Sequence, residues 1–260
     1  LSAEQLKKIT DCVKKYFDLS KIREYTIEAG RPDSITDEKF KVIKESGCTR
    51  ISVNPQTFND DVLKEIGRKH TSQMTLDAMA LARENGFTNI NTDLIAGLPT
   101  DTLESFENTL DTTLSLSPEN ITVHTLALKR SSNIVTENRR TNSGVLASLM
   151  LSSAQEKLTK AGYIPYYMYR QSKCLGNLEN VGWAKEGFEG LYNVYMMEEC
   201  HTVFAVGAGA VIKLKSPFGN EIERIFNYKY PYEYISGFDE ILKRKKYIYE
   251  FYDKFRQGDI

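Results

Sequence analysis

The chain has 260 residues, 41% hydrophobic and 27% charged, with 34 Lys+Arg against 35 Asp+Glu and a net charge of −1. A chain of that size buries about 70–75% of its unfolded surface, enough for a full core, and the composition excludes disorder and a disulfide-stapled miniprotein. The near-neutral charge supplies no electrostatic footprint for nucleic acid, and the longest apolar run, residues 203–212, is about half of a bilayer span, so neither partner is expected.

The chain opens on Leu rather than Met, and Leu6, Ile9, Val13 and Phe17 stripe an amphipathic helix over 1–17. It is therefore expected to begin inside a larger protein. Between residues 1 and 130 the hydrophobic period switches between short apolar strands and longer helical stretches, the pattern of βα units around a parallel sheet. Strands are predicted over 24–29, ended by Gly30-Arg31-Pro32, over 50–54, ended by Pro55, and over 89–96 and 121–128. The helices between them have legible ends. Thr36 opens one that stops at Gly47, Asn59 caps a short one that stops at Gly67, and Ser72 opens one that reaches Gly86. Leu103, Phe106, Leu110 and Leu114 stripe a fourth that cannot pass Pro118. Strand starts recur about every 26 to 39 residues, one βα unit each, although the letters do not repeat. Four such units predict half of a TIM-like barrel or part of an open α/β sheet.

The pattern changes after Leu128. A polar, basic stretch over 129–142 reads as a loop or boundary, and 146–161 as a helix ended by Gly162. Short β-like runs at 163–169 and 203–206 follow, then a polar, aromatic tail over 226–255. The expected organisation is a partial barrel over 1–130 and a C-terminal α+β appendage over 131–260. Four cysteines, at 12, 48, 174 and 200, form no CxxC pair and fit a reduced, cytoplasmic compartment.

In a parallel barrel the functional groups sit at the carboxyl ends of strands. Glu28 ends the first strand, Gln56 follows the second, and Asp93 lies inside the otherwise apolar third, where an ionisable group needs a partner. Arg68 and His70 are candidate partners. Glu28, Arg68 and Asp93 form either a structural ion-pair network or a pocket for a zwitterionic, hydroxyl-bearing ligand, the guanidinium clamping a carboxylate and the acids taking an ammonium or ribose hydroxyls. Gly97-Leu98-Pro99 is either a turn or a place where backbone approaches a ligand. Gly207-Ala208-Gly209-Ala210 lacks phosphate-loop spacing and reads as tight strand packing. His70, His124 and His201 have no zinc-ligand spacing. Cys200-His201 beside Glu198-Glu199 offers no base at a known position. Tyr166 to Gln171 interleaves aromatics with a cation, which either lines a flat ligand or packs the appendage, and Lys243-Arg244-Lys245-Lys246 reads as a solvated helix face.

The letters carry further. Glu28 is followed by Ser46-Gly47-Cys48-Thr49-Arg50-Ile51-Ser52-Val53-Asn54-Pro55-Gln56-Thr57-Phe58, Gly67-Arg68-Lys69-His70, Gly86-Phe87, Asn91-Thr92-Asp93-Leu94-Ile95-Ala96-Gly97-Leu98-Pro99 and Leu116-Ser117-Pro118. Together these resemble the radical S-adenosylmethionine family of oxygen-independent coproporphyrinogen III oxidases. The stretch from Tyr169-Arg170-Gln171 to Leu175-Gly176-Asn177-Leu178-Glu179-Asn180-Val181-Gly182 is similar to its HemZ-like, coproporphyrinogen dehydrogenase branch. The resemblance covers nearly the whole chain. It implies that the four strands are the third to sixth of a six-stranded partial barrel. It further implies that Glu28, Gln56, Arg68 and Asp93 contact S-adenosylmethionine, with Ala127 contacting it through its backbone. In the family a [4Fe–4S] cluster on a Cys-x3-Cys-x2-Cys loop reduces the sulfonium to a 5′-deoxyadenosyl radical. That radical takes hydrogen from a propionate, CO₂ leaves, and two conversions give protoporphyrinogen IX. The implied partners are the tetrapyrrole coproporphyrinogen III and a reductant protein.

The sequence departs from that pattern in having neither the Cys-x3-Cys-x2-Cys loop nor a Gly-Gly-Thr-Pro loop, both expected upstream of Leu1. Its cysteines are at least 26 residues apart and cannot hold a cluster, so the chain by itself is expected to be inactive and to expose a barrel edge. A substrate with several propionates needs cations, and Lys129, Arg130, Arg139, Arg140, Arg170 and Lys173 are available. The alternative function is a haem-binding chaperone of the same superfamily. Its expected His-Asn-x-x-Tyr-Trp motif is replaced here by Leu175 to Trp183 without a His. A radical enzyme acting on haem itself is a third possibility.

Overall fold

The computed structural model describes residues 1–127 and 142–256. Helix α1 (Ala3–Tyr16) starts on a capping box in which Ser2 and Gln5 satisfy each other's backbone N–H groups. Strand β1 (Thr26–Gly30) leads to α2 (Asp37–Glu45), capped by Thr36. Strand β2 (Arg50–Val53) leads to α3 (Asp60–Glu65), capped by Asn59, and α4 (Ser72–Glu84), capped by Thr71. Strand β3 (Ile90–Ala96) leads to α5 (Leu103–Leu116), capped by Thr102, and β4 (Asn120–Thr125) follows. Each cap oxygen accepts from an N–H that the first helical turn leaves unpaired. The fourth strand was expected to run to Leu128, which lies outside the described residues.

Strands β1 to β4 are parallel and adjacent in sequence order. An order without reversal is that of a barrel, whereas a doubly wound sheet reverses at its switch point. Beyond the gap in description, α6 (Gly144–Lys160) is followed by β5 (Ile164–Tyr169) and β6 (Asn180–Ala184). β6 pairs antiparallel with β4 and β5 pairs with β6, so one sheet runs β1-β2-β3-β4-β6-β5.

Alternation gives the sheet two unlike faces. On the outer one, Ile51, Val53 and Ile90 pack against Phe40 and Ile43 of α2 and Ala78, Met79 and Ala82 of α4. Leu94, Ala96, Ile121 and Val123 pack against Phe106 and Leu110 of α5, Met150, Ala154 and Leu158 of α6, and Trp183. Deleting one such buried side chain costs about 2–5 kcal/mol.

The chain divides into two compact units, Leu1–Val194 and Tyr195–Ile260. This division does not coincide with the expected boundary at residue 130. α6, β5 and β6 bury their apolar faces in the same core as α5 and β4, so the sheet crosses that position. α7 (Leu191–Met197) spans the division. The second unit has its own core of Ile212, Leu214, Ile225 and Phe251, from the hairpin β7 (Val211–Lys215) and β8 (Ile222–Phe226) and from α9 (Phe238–Arg256), which follows the short α8 (Pro231–Ser236). The run 203–206 contributes only one bridge, Val203 to Lys213. Gly207 to Ala210 form a bend, not a packed strand. The N–H groups of Gly207, Gly209 and Ala210 all donate within the unit. Among the described residues no helix is long and apolar enough to cross a membrane.

Candidate functional site

The inner face of the sheet is polar. Its strands present Thr26 and Glu28, then Arg50, Ser52 and Asn54, then Asn91 and Asp93, then Asn120, Thr122 and His124, in register. Tyr167 and Tyr169 of β5 complete it, their rings stacked 6.1 Å apart at 7°. Tyr167 lies directly over Gly182, where an added Cβ would fall 1.7 Å from its ring. One hydrogen-bond network joins the strands. The Asp93 carboxylate accepts from Asn54 and Asn91 at 2.8 Å each and faces His124 Nε2 at 3.7 Å. Tyr169 bonds His124 Nδ1 at 3.3 Å. Thr122 Oγ1 donates to Asn91 at 3.4 Å and shares a 3.3 Å bond with Tyr167. Burial pushes the Tyr167 and Tyr169 phenols up, and the neighbouring Asp93 charge adds to this.

Of the five expected site residues, Glu28 and Asp93 lie within β1 and β3, Gln56 and Ala127 just beyond β2 and β4, and Arg68 beyond α3. Glu28 is exposed on β1 and accepts from Ser52 at 2.9 Å. Gln56 is buried and left-handed, with φ 68°. Its backbone extends the sheet by one bridge, its N–H donating to Asp93 O at 3.0 Å and its carbonyl accepting from Ile95 at 2.9 Å. A left-handed non-glycine is strained by about 1–3 kcal/mol, and the two bonds hold it there. Ala127 bridges Cys174. Arg68, beyond α3, is half-buried. Its guanidinium is held below the usual arginine range first by burial and then by the charge of Arg31, which Asp33 only partly offsets.

Two expectations are corrected here. Arg68 makes no ion pair with Glu28 or Asp93, so the proposed structural network is not formed, and Asp93 takes Asn54, Asn91 and His124 as partners in place of Arg68 and His70. His70 is buried with Nε2 at 3.0 Å from Pro55 O. The Gly97 turn, φ 84°, is approached by protein side chains. A Cβ there would meet Leu175 at 2.9 Å and Ala147 at 3.2 Å. Of the cations expected to face a substrate, Lys129, Arg130, Arg139 and Arg140 lie outside the described residues. Arg170 is paired with Glu179, and Lys173 is exposed.

At the amino ends of the strands the same face closes over a cavity of about 420 Å³, lined by Glu24, Thr26, Glu28, Arg50, Ser52 and Asn91, with Gly190, Tyr192 and Asn193 from the start of α7. Arg50 was absent from the expected set. Its signal was the period-two run Arg50-Ser52-Asn54, polar on alternate positions of a strand whose other positions are Ile and Val.

The polar set can hold a zwitterion. Glu28 and Asp93 can accept from an ammonium or hydroxyls, and Arg68 can meet a carboxylate. The cysteines do not fit an iron–sulfur cluster. Cys48 and Cys174 are buried, Cys12 and Cys200 are exposed, and no three metal-ligating side chains cluster among the described residues.

Residues 3–113 match the Radical SAM superfamily. The chain is 40% identical over 248 residues to the oxygen-independent coproporphyrinogen-III oxidase-like protein HemZ of Bacillus subtilis, covering 94% of this chain and 49% of that protein. It is 34% identical over 215 residues to the heme chaperone HemW of the same organism, covering 81% and 53%. The solved coproporphyrinogen III oxidase HemN of Escherichia coli, described as a radical SAM enzyme, superposes with a TM-score of 0.71 over 92% of this chain and 54% of that one, at 21% identity. That likeness establishes the partial barrel fold. The chain spans about half the length of these relatives.

Proposed function

From the premise that this chain belongs to the Radical SAM superfamily through residues 3–113, we propose that it serves the oxygen-independent oxidative decarboxylation of coproporphyrinogen III propionates to vinyl groups in porphyrin biosynthesis. The superfamily's cofactors are S-adenosylmethionine and a [4Fe–4S] cluster. Each conversion takes one hydrogen atom and one electron from a propionate and releases CO₂. When bound, S-adenosylmethionine is the source of the 5′-deoxyadenosyl group that accepts the hydrogen. The cysteines of this chain do not fit the cluster, and no step is assigned to them. Its own residues bind and orient. Arg68 takes the carboxylate of S-adenosylmethionine, Glu28 and Asp93 take ammonium or ribose hydroxyls, and Gln56 and the Ala127 backbone complete the contact.

The observation that carries this is Arg68, a half-buried guanidinium near Arg31 and Asp33 and without an ion pair to any described carboxylate. A desolvated cation gains most from a carboxylate that arrives with the ligand. The similarity to HemW supports a second reading, haem binding without oxidation.

The test is the gene product, reconstituted anaerobically with iron and sulfide and given S-adenosylmethionine, reductant and coproporphyrinogen III. The expected result is stepwise loss of two carboxyl groups together with deoxyadenosine, both abolished by Arg68→Ala. Deoxyadenosine without tetrapyrrole conversion would remove the substrate and keep the radical chemistry. Tight stoichiometric haem binding with a Soret shift and neither product would establish the chaperone.

A further inference from the structure

The cavity at the amino ends of the strands contains a charge that the site described above does not use. Arg50 is 3% exposed, yet both of its hydrogen-bond partners are neutral. Nη1 donates to Phe188 O at 3.1 Å and Nη2 to Asn91 Oδ1 at 3.5 Å. It forms no ion pair with any described carboxylate. The two acids that share the cavity have other partners. Glu24 accepts from Leu191 N–H at 2.8 Å, Tyr192 N–H at 3.5 Å and Thr26 Oγ1 at 3.1 Å, so its charge is spent on the first turn of α7. Glu28 accepts from Ser52 at 2.9 Å and is exposed. The close quarters around Arg50 are built. At Gly190 a Cβ would lie 3.1 Å from the Arg50 Cζ and Nη2 atoms and 3.0 Å from the Tyr166 hydroxyl. Asn120, wholly buried beside it, donates to Phe188 O at 2.7 Å and has an Oδ1 with no partner among the described residues.

A buried guanidinium held only by neutral acceptors, facing about 420 Å³ of open space, is completed by an anion. We propose that the Arg50 cavity binds a carboxylate on the guanidinium, with the second Asn193 Nδ2–H available for one further hydrogen bond. Resting on the proposed function, we assign that carboxylate to a propionate of the tetrapyrrole substrate. The volume admits one arm of such a molecule and not the whole macrocycle. On this geometry Arg50 is a specificity residue, distinct from Arg68, in a cavity whose wall it shares with Glu28.

The test titrates the chain with coproporphyrin III, read by its fluorescence, beside the tetramethyl ester of the same porphyrin and sodium propionate, read by thermal shift. The expected result is binding of the free acid, at least about tenfold weaker binding of the ester, and a similar loss in Arg50→Met. Arg50→Lys, which keeps the charge, retains the fold if the Met variant does not, and is expected to lose affinity several-fold by losing the fork. Equal binding of acid and ester, or of wild type and both variants, would overturn the inference while leaving the proposed reaction in place. A propionate shift that depends on Arg50, without coproporphyrin binding, would keep the carboxylate site and remove the tetrapyrrole. Neither response in wild type would overturn both.

Discussion

At the scale of single residues, environment separates four cysteines that look alike as letters. Cys48 is buried, its thiol bonding Arg50 O at 2.9 Å and Tyr25 O at 3.3 Å, and burial pushes it up to about 11 despite these contacts and the charge of Lys44. At pH 8 only about 0.1% of such a thiol is thiolate, and the thiolate is the nucleophile. Cys174 is shielded by burial, whereas Cys12 and Cys200 are exposed. Iodoacetamide at pH 8 is therefore expected to modify two cysteines rapidly in the folded chain and four after denaturation. Cys48 should become reactive only as pH approaches its raised value. Rapid modification of Cys48 at pH 8, seen by peptide mass, would contradict the placement of this thiol. The same separation decides that no three of these sulfurs converge on an iron–sulfur cluster. For the candidate binding residues, the turn signals made the positions of Gln56, just beyond β2, and of Asp93, inside β3, legible, whereas Glu28, expected at the end of the first strand, lies in the middle of β1. The sequence mispaired Arg68 because ion pairs depend on side-chain reach across loops, which no spacing encodes.

At the scale of elements, β1 to β4 were legible to within two residues at every start and at the first three ends, since each is bounded by Gly, Pro or a capping polar residue. The pairing of β6 with β4 was not. It joins residues about sixty apart across a helix and another strand, and its register rests on one small residue. Gly182 opposes both Thr122 and Tyr167, and the Tyr167 ring occupies the space a side chain would need. Gly182→Ala must expel that ring and break its bond to Thr122. A cost of about 1–3 kcal/mol is expected, read as a lowered melting temperature. Adding Tyr167→Ala should recover part of it, because the clash is with the ring and not with the backbone. An unchanged melting temperature in the single variant would place Tyr167 elsewhere. The basic run Lys243 to Lys246 shows the opposite limit of pattern reading. It was legible as one face of a helix, yet Arg244 and Lys245 reach the backbone carbonyls of Phe226 and Ala205.

At the scale of the whole molecule, the composition change near residue 130 suggests a boundary that the packing does not place there. α6 supplies Met150, Ala154 and Leu158 to the core beneath β3 and β4, and Trp183 of β6 closes it. A polypeptide ending at residue 130 would leave the outer faces of Phe106, Leu110, Ile121 and Val123 in water, together with the whole inter-strand edge of β4. Losing several buried contacts at about 2–5 kcal/mol each exceeds the usual stability of a domain. Residues 1–194 keep that core entire, and Ile212, Leu214, Ile225 and Phe251 form another within 195–260. We therefore expect residues 1–130 to fail to unfold cooperatively in urea, and residues 1–194 to retain a sigmoidal transition monitored at Trp183. The slope of that transition should be smaller than in the whole chain, in proportion to the surface that 195–260 no longer contributes. A cooperative transition in 1–130 would mean that four βα units suffice without α6 and the β5–β6 hairpin. In that case the change in composition, and not the continuity of the sheet, would mark the folding unit.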